Sequence, residues 1–297
     1  MPRLTAADFD PEVLKLFDQY VHGGLSRRGF LDAAGRYAVG GATAAGLLAA
    51  LAPDFAQAQQ VKADDPRLVA TTLSLDSPRG YGKASGYLVK PVKAAGDIPA
   101  VLVIHENRGL NPHIEDIARR LALEGYLAFA PDALLPLGGY PGDEDKAREL
   151  FVKLDLAKVK ADFLAAAQLL KTQAGTNGRV GAVGFCFGGG VVNWLATQWP
   201  DLNAGVPFYG VAPDLDQVPR IRAPLLLHFA GNDARINATW SPYETALKEA
   251  HARYEAFTYA GVEHGFNNDT TPRYDAKAAA LAWQRTLAFF AQNLRAA

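Results

Sequence analysis

The chain is poor in cysteine: Cys186 is the only one among 297 residues. A single cysteine cannot form an internal disulfide, so the fold must be stabilised by its apolar core. The length is sufficient for one large domain with such a core. The formal net charge of −1 gives no reason to expect nucleic acid or an acidic membrane surface as a partner.

Local motifs for cofactors and metals are also missing. The sequence has no phosphate-binding loop, no dinucleotide fingerprint and no histidine or cysteine cluster at metal-ligand spacing. We therefore expect no cofactor and no metal. Three consecutive glycines, residues 188–190, are better explained by close packing of a helix on a sheet than by a phosphate cradle.

The cysteine itself lies in the most informative motif, Gly184-Phe185-Cys186-Phe187-Gly188. A glycine two residues away on each side allows a sharp turn from strand to helix, as in a nucleophile elbow. The thiol would then lie at a helix N-terminus, where the dipole favours a thiolate. The alternative is that Cys186 is a small buried apolar residue, as free cysteines often are.

An acid and a histidine follow this motif in the order of an α/β-hydrolase triad. Residues 224–230 form an apolar run typical of a buried parallel strand, and Asp233 comes just after it. A shorter strand pattern at 254–259 precedes His264. His264 could take the thiol proton, and Asp233 could orient the imidazole. The alternatives are a turn-forming aspartate and an ordinary polar histidine.

A further strand pattern at 98–104 precedes the loop His105-Glu106-Asn107-Arg108-Gly109. Such a loop commonly supplies one oxyanion-hole donor, so the backbone N–H groups of Asn107 and Phe187 are the predicted pair. Glu106 would lie near the thiol, where it could accept the proton or restrain the thiol at rest. The alternative is that the loop side chains only fix the backbone.

The order of apolar patterns predicts the fold class. Residues 68–75 and 84–89 alternate with period two and predict an N-terminal antiparallel pair. Helical patterns, near 114–124, at 156–171 and at 276–294, alternate with the later strand patterns. This is the pattern of an α/β protein with the α/β-hydrolase fold, a mostly parallel central sheet with helices on both faces.

Together these motifs resemble the dienelactone hydrolases, a cysteine branch of the α/β-hydrolases, from about Val69 to Asn293. The resemblance implies lactone or ester hydrolysis (carboxymethylenebutenolidase activity) by a triad of Cys186, Asp233 and His264 through an acyl-enzyme thioester. It implies that Glu106 contacts Cys186 and helps to form the thiolate. The likeness rests on His-Glu-Asn-Arg-Gly at 105–109, Gly-Phe-Cys-Phe-Gly-Gly at 184–189, Pro-Phe-Tyr-Gly at 207–210, Gly-Asn-Asp at 231–233 and His-Gly-Phe at 264–266.

The sequence departs from that family in the substrate pocket, where two arginines hold the carboxylate of dienelactone. The matching positions here are the arginine-free stretch 132–140 and Asn267-Asn268. Arg108 and Arg273 are candidate replacements, and Tyr209 either faces the pocket or only packs there. The apolar residues of the first stretch suggest a less charged ester or lactone; they are Leu134, Leu135, Leu137 and Tyr140.

Other functions remain open at this point. Within the same fold, a broad-specificity esterase or a thioesterase is an alternative to a lactone hydrolase. A redox-active thiol protein would need a resolving cysteine, which the chain lacks. A non-catalytic exported binding protein is the remaining alternative, since a fold does not guarantee turnover.

The first 58 residues predict a leader, and residues 59–297 a single α/β-hydrolase domain. Residues 26–31, Ser-Arg-Arg-Gly-Phe-Leu, form a twin-arginine pattern, and a weakly apolar run at 37–52 follows. Residues 55–58 resemble a signal-peptidase site with cleavage after Ala58.

These features predict the twin-arginine export machinery as a partner and a periplasmic or secreted enzyme without stable membrane association. The alternative is an amphipathic N-terminal helix on a cytoplasmic enzyme. His22, in this leader, is given no role.

Overall fold

An eight-stranded sheet organises the computed structural model, which describes residues 3–38, 43–94 and 96–295. The strand order is β1-β2-β4-β3-β5-β6-β7-β8. The strands are β1 Leu68–Ser77, β2 Gly82–Pro91, β3 Ile98–Ile104, β4 Leu127–Pro131, β5 Thr176–Phe185, β6 Ala204–Phe208, β7 Leu225–Ala230 and β8 Tyr254–Tyr259.

Only the first two strands depart from a parallel arrangement. β1 and β2 form the expected antiparallel pair, and β2 is also antiparallel to β4. The remaining neighbours pair in parallel from β4 to β8. The carboxyl ends of β3, β5, β6, β7 and β8 therefore share one edge, where open α/β sheets bind their ligands.

Helices cover both faces of the sheet, as predicted. Side chains of β3 alternate between the two apolar cores: Leu102 and Ile104 join one, Val101 and Val103 the other. Helices α7 and α8 contribute to the first core and α5 and α11 to the second. The helices after the first strand pair are α5 Pro112–Leu123, α6 Glu144–Phe151, α7 Leu156–Thr172, α8 Phe187–Gln198, α9 Ala234–Asn237, α10 Trp240–Glu249 and α11 Ala276–Leu294.

Four helices precede the sheet: α1 Pro11–Val21, α2 Arg27–Ala34, α3 Ala44–Leu51 and α4 Phe55–Ala58. We call residues 3–38 and 43–58 the N-terminal helical segment. Its helices enclose a small apolar cluster of their own, in which Phe30 packs on Phe17 and Tyr20. Part of the apolar run predicted at 37–52, residues 39–42, lies outside the described residues.

The twin-arginine pattern has a structural role in this segment. The hydroxyl of Ser26 accepts a hydrogen bond from the Gly29 N–H and so caps the N-terminus of α2. Arg27 forms an ion pair with Asp145, and Phe30 is fully buried. Among the described residues, no helix has both the length and the apolar character needed to cross a bilayer.

Candidate active site

Cys186 connects β5 to α8 in a strained backbone conformation. Its φ of 55° and ψ of −112° lie outside the regions that non-glycine residues usually adopt. The two flanking glycines make this turn possible. A Cβ on Gly184 would lie 2.2 Å from the Gly188 backbone oxygen, and one on Gly188 would lie 2.2 Å from the Ile104 oxygen. Any side chain at either glycine would collide with the backbone, so the predicted elbow geometry is present.

Asp233 and His264 form a hydrogen-bonded pair at the same sheet edge. His264 Nδ1 donates to Asp233 Oδ2 at 2.5 Å, and both residues are buried. The other oxygen of Asp233 accepts from the Ile236 N–H at 3.1 Å, which fixes the carboxylate at the start of α9. The pairing fixes the His264 tautomer and leaves Nε2 available as a base. Burial lowers the pKa of His264, but the neighbouring thiolate and Asp233 outweigh burial and raise this pKa overall.

His22 joins this site from the C-terminal end of α1. Its Nε2 lies 3.3 Å from the Cys186 sulfur, and its Nδ1 lies 3.1 Å from Asp18 Oδ1. Burial raises the pKa of Cys186, but the charges of His264 and His22 outweigh burial and lower that pKa from 9.0 to about 5. A pKa this low favours the thiolate at neutral pH.

Local motifs could not identify His22, because the histidine lies 164 residues from the cysteine that it contacts. One signal was available. Apolar residues recur at helical spacing along α1, which indicates a helix packed on a protein surface. They are Val13, Leu14, Phe17, Tyr20 and Val21, and all are buried. An amphipathic helix at this position is compatible with either a leader or a permanent part of the enzyme.

The loop after β3 carries Glu106 into the site, but its partner is an amide. Asn268 Nδ2 donates to Glu106 Oε2 at 2.8 Å. Among the described residues, no hydrogen bond joins Glu106 to Cys186, whose sulfur contacts His22 instead. His105 fixes the backbone of this loop, because its Nε2 accepts from the Ala133 N–H at 3.1 Å.

The two residues predicted to supply oxyanion donors line one cavity together with Cys186. Phe187 is the first residue of α8, so its N–H has no acceptor within the helix. Asn107 lies in the loop after β3, and its side chain donates to the Val21 backbone oxygen at 2.8 Å. The N-terminal helical segment thus contacts the loop that would carry one donor.

A cavity of about 460 Å³ lies between the N-terminal helical segment and the sheet edge. Cys186, His264 and Glu106 line it, together with Arg108 and Arg273. Both candidate arginines are therefore near the nucleophile. Arg273 is buried, and its Nε and Nη1 have no hydrogen-bond partner among the described residues.

Most of the apolar residues in the stretch 132–140, which were predicted to line the substrate pocket, lie elsewhere in the structure. Only Tyr140 lines the cavity. Leu134 is fully buried in a core below the sheet edge, whereas Leu135 and Leu137 are exposed to solvent in a short 3₁₀ turn. The suggestion of a weakly charged pocket built from these leucines is wrong, because none of the three lines either cavity that contains Cys186.

A second cavity of about 390 Å³ lies on the other side of His22 and is also lined by Cys186. Tyr209 lines it, with its ring centroid 4.8 Å from that of His264. Tyr209 is fully buried, and its hydroxyl has no partner among the described residues. The remaining walls are mostly apolar, with Phe151, Val152, Leu154, Leu156, Phe187, Val211 and Ile236.

Comparison with known proteins identifies the family of the chain. The model of the dienelactone hydrolase family matches residues 84–294. The chain belongs to this family. A model described as YqhI-like matches residues 1–39, the part that contains His22. The family assignment supports a hydrolase enzyme and the α/β-hydrolase fold.

Three relatives show the extent of the likeness. A Synechocystis protein named "Putative carboxymethylenebutenolidase" is 32% identical over 245 residues, covering 76% of this chain and 98% of that protein. The "Putative hydrolase fragment YghX" of Escherichia coli K12 is 55% identical over 113 residues, covering 38% of this chain and 97% of the fragment. The crystal structure of a dienelactone hydrolase from Klebsiella pneumoniae, titled putative, matches with a TM-score of 0.67 and 32% identity, covering 76% of this chain and 99% of that one.

Proposed function

We propose that this family member hydrolyses a lactone or carboxylic ester through Cys186, His264 and Asp233, with an acyl-enzyme thioester as intermediate. The observation that carries the proposal is the strained elbow at Cys186, with the Asp233–His264 pair beside it. A structural cysteine would need neither the strain nor a buried imidazole.

The steps follow from the positions of these groups. The Cys186 thiolate attacks the carbonyl carbon, and the oxygen gains a negative charge that the N–H groups of Phe187 and Asn107 can bind. The carbon–oxygen ester bond then breaks, and protonated His264 gives its proton to the leaving alkoxide. Water, deprotonated by neutral His264, attacks the thioester and releases the acid and the thiolate. With a lactone, acid and alcohol leave as one molecule.

The two cavities suggest the substrate class. The first contains Arg273, whose Nε and Nη1 have no hydrogen-bond partner among the described residues and can bind a carboxylate; Arg108 in the same cavity already donates to Asn107 and pairs with Glu144. Arg273 favours a small lactone or ester that carries its own carboxylate, such as dienelactone. The second cavity is mostly apolar and favours a neutral aryl or alkyl ester, so a broad-specificity esterase is the second candidate.

Export by the twin-arginine route also stays a proposal, supported by the pattern at residues 26–31. Cleavage after Ala58 would affect residues that are packed against the domain. Ala58, before the proposed cleavage point, is buried, and the Val61 N–H donates to Asp116 Oδ1 at 2.8 Å. Cleavage there would require local opening, since proteases act on exposed and flexible chain. It would also remove His22 from the site.

The test is hydrolysis by the full chain in a chelator-containing buffer. The substrates are dienelactone and neutral aryl esters, with Cys186→Ala as the inactive variant and His251→Asn, at an exposed histidine outside the site, as control. Acid quenching followed by mass spectrometry should find the acyl group on Cys186. Turnover that persists in Cys186→Ala, or the absence of any acylated chain during turnover, would reject the thioester mechanism.

A further inference from the structure

Three potential metal ligands meet at one point beside the elbow. The Cys186 sulfur and one ring nitrogen from each of His22 and His264 all lie within 4.8 Å of one another. The site contains one soft and two borderline donors and excludes most solvent, since His264 is buried and His22 mostly so. A dedicated hydrolase triad needs only one of these histidines, so the second requires a separate explanation.

Both histidines are oriented through Nδ1, but by different acceptors. Nδ1 of His264 donates to Asp233 Oδ2 at 2.5 Å, whereas Nδ1 of His22 donates to the Asp18 backbone oxygen at 2.8 Å, with Asp18 Oδ1 at 3.1 Å. In each ring this leaves Nε2 for the centre of the site. His264 Nε2 is buried and has no hydrogen-bond partner among the described residues. A carboxylate or a backbone oxygen behind each ligating imidazole is the usual arrangement at protein zinc sites.

We propose that Cys186, His22 and His264 bind a borderline-soft divalent cation, with zinc as the best match. Zinc takes thiolate and imidazole ligands in a tetrahedral arrangement, with bonds of about 2.0–2.3 Å. Ligand atoms of such a site are about 3–4 Å apart, close to the separations found here. Three protein ligands leave a fourth position, which faces the cavity and is available to water or to a ligand.

Three positively charged groups near the site oppose a cation. Arg108 and Arg273 line the cavity with Cys186, and Arg235 Nη2 lies 3.1 Å from His22 Nε2. The Arg235 side chain is exposed and can turn into solvent, whereas Asp18 and Asp233 are held in place behind the rings. We therefore expect Arg235→Gln to tighten metal binding, because a positive charge beside the cation is lost.

Metal binding and ester hydrolysis exclude one another at this sulfur. A thiolate bound to zinc has its electron pair in the metal–sulfur bond, and His264 Nε2 can no longer accept a proton. We expect the bound cation to protect Cys186 from alkylation and to inhibit hydrolysis until a chelator removes it. The binding itself depends on the three side chains and not on the proposed hydrolysis.

Cobalt binding to the full, chelator-treated chain tests the site without an activity measurement. One equivalent of Co²⁺ should give a thiolate-to-metal charge-transfer band and visible bands of a four-coordinate ion, and zinc should displace it. Cys186→Ser should abolish the charge-transfer band. Asp233→Asn should weaken binding about 10- to 100-fold, the usual effect of losing an orienting carboxylate. His22→Ala should weaken it further, and His251→Asn should bind like the unaltered chain.

Two results would overturn the proposal. One is the absence of one-to-one binding at micromolar Co²⁺ or Zn²⁺. The other is binding that His22→Ala leaves unchanged, since the metal would then lie elsewhere or use only the catalytic pair. The melting temperatures of the variants show whether they still fold. Arg235→Gln is an independent test, because this variant should bind the metal more tightly whereas the ligand variants should bind it more weakly.

Discussion

His22 Nε2 lies 3.3 Å from the sulfur of Cys186, while the His264 ring lies against the His22 ring with a centroid separation of 4.7 Å. Two aspartate–histidine pairs therefore converge on a single cysteine. One pair comes from the α/β-hydrolase unit and the other from the N-terminal helical segment. This makes the segment part of the site wall in the full chain, and any process that moves it changes access to the nucleophile.

The triad should behave as one unit in kinetics. His264→Gln and Asp233→Asn should each lower kcat by about 100- to 10,000-fold, because proton transfer then lacks an oriented base. Residues that act together give non-additive losses. We expect the double variant Cys186→Ala/His264→Gln to be no slower than Cys186→Ala alone. Initial rates on the best ester substrate measure this, and additive losses would argue against a shared step.

Arg273 should select substrates that carry a carboxylate. Its buried guanidinium lines the cavity of Cys186 and has only a long ion-pair contact, 3.9 Å to Asp18 Oδ1, so a substrate carboxylate would gain charge-assisted hydrogen bonds worth about 1.5–3 kcal/mol. Arg273→Gln should then lower kcat/KM for dienelactone about 10- to 100-fold while changing that for a neutral aryl ester little. Arg222→Gln, at an exposed arginine that lines neither cavity, is the matched control. Equal losses on both substrates would indicate a purely structural arginine.

The N-terminal helical segment should control the exposure of Cys186. Phe30 is fully buried in the cluster of this segment, so Phe30→Ala should lower the free energy of unfolding of the segment by about 3–5 kcal/mol. Open forms of the segment would become roughly 100-fold more populated or more, since each 1.36 kcal/mol is a factor of ten. Labelling by a bulky maleimide reports this cleanly because the chain has one cysteine.

Leu4→Ala, at an exposed leucine of the same segment, should leave the labelling rate unchanged. If Phe30→Ala destabilises α1–α3 in hydrogen exchange and yet labels at the original rate, the segment does not shield the sulfur. Comparison with a chain that starts at Gln59 gives the limit of full exposure.

Much of the α/β unit could be predicted from local patterns. The bounds of β3, β8 and α11 follow from their apolar runs and the residues that interrupt them, and Cys186, Asp233 and His264 follow from their positions after three strands. The order of the strands in the sheet does not follow from local patterns, because it depends on which crossover connections pack best in three dimensions.

The contacts of the site were harder to predict. The bond between Glu106 and Asn268 spans 162 residues, and the contact of His22 with Cys186 depends on how α1 packs on the sheet edge. Ser26 and the arginines after it match an export pattern, while in the structure Ser26 caps α2 and Arg27 pairs with Asp145. A short pattern cannot separate a targeting role from a structural one.

His228 is a fully buried histidine of β7 that lies outside the proposed catalytic group. Its Nε2 contacts Thr286 Oγ1 at 3.2 Å and its Nδ1 contacts the Tyr259 hydroxyl at 3.0 Å. Burial, with a smaller effect of the Arg285 charge, lowers the pKa of His228 from 6.5 to about 3. The folded protein therefore keeps this ring neutral in mildly acidic solution, whereas the unfolded chain protonates it.

This difference sets the sign of the effect on stability. Above the unfolded pKa of 6.5 both states are neutral at His228 and the residue contributes no pH dependence. As the pH falls below that value, only the unfolded chain binds the proton, so the free energy of unfolding falls by about 1.4 kcal/mol per pH unit until the folded pKa is reached.

Urea unfolding of the full chain at two pH values, one near neutrality and one about two units lower, measures this loss. His228→Gln keeps hydrogen-bonding capacity without a titrating group, so the variant should lose about 2 kcal/mol less than the unaltered chain over this interval. Carboxylates shared by both chains cancel in the comparison, and equal losses in the two chains would mean that His228 is protonated in the folded state as readily as in the unfolded one.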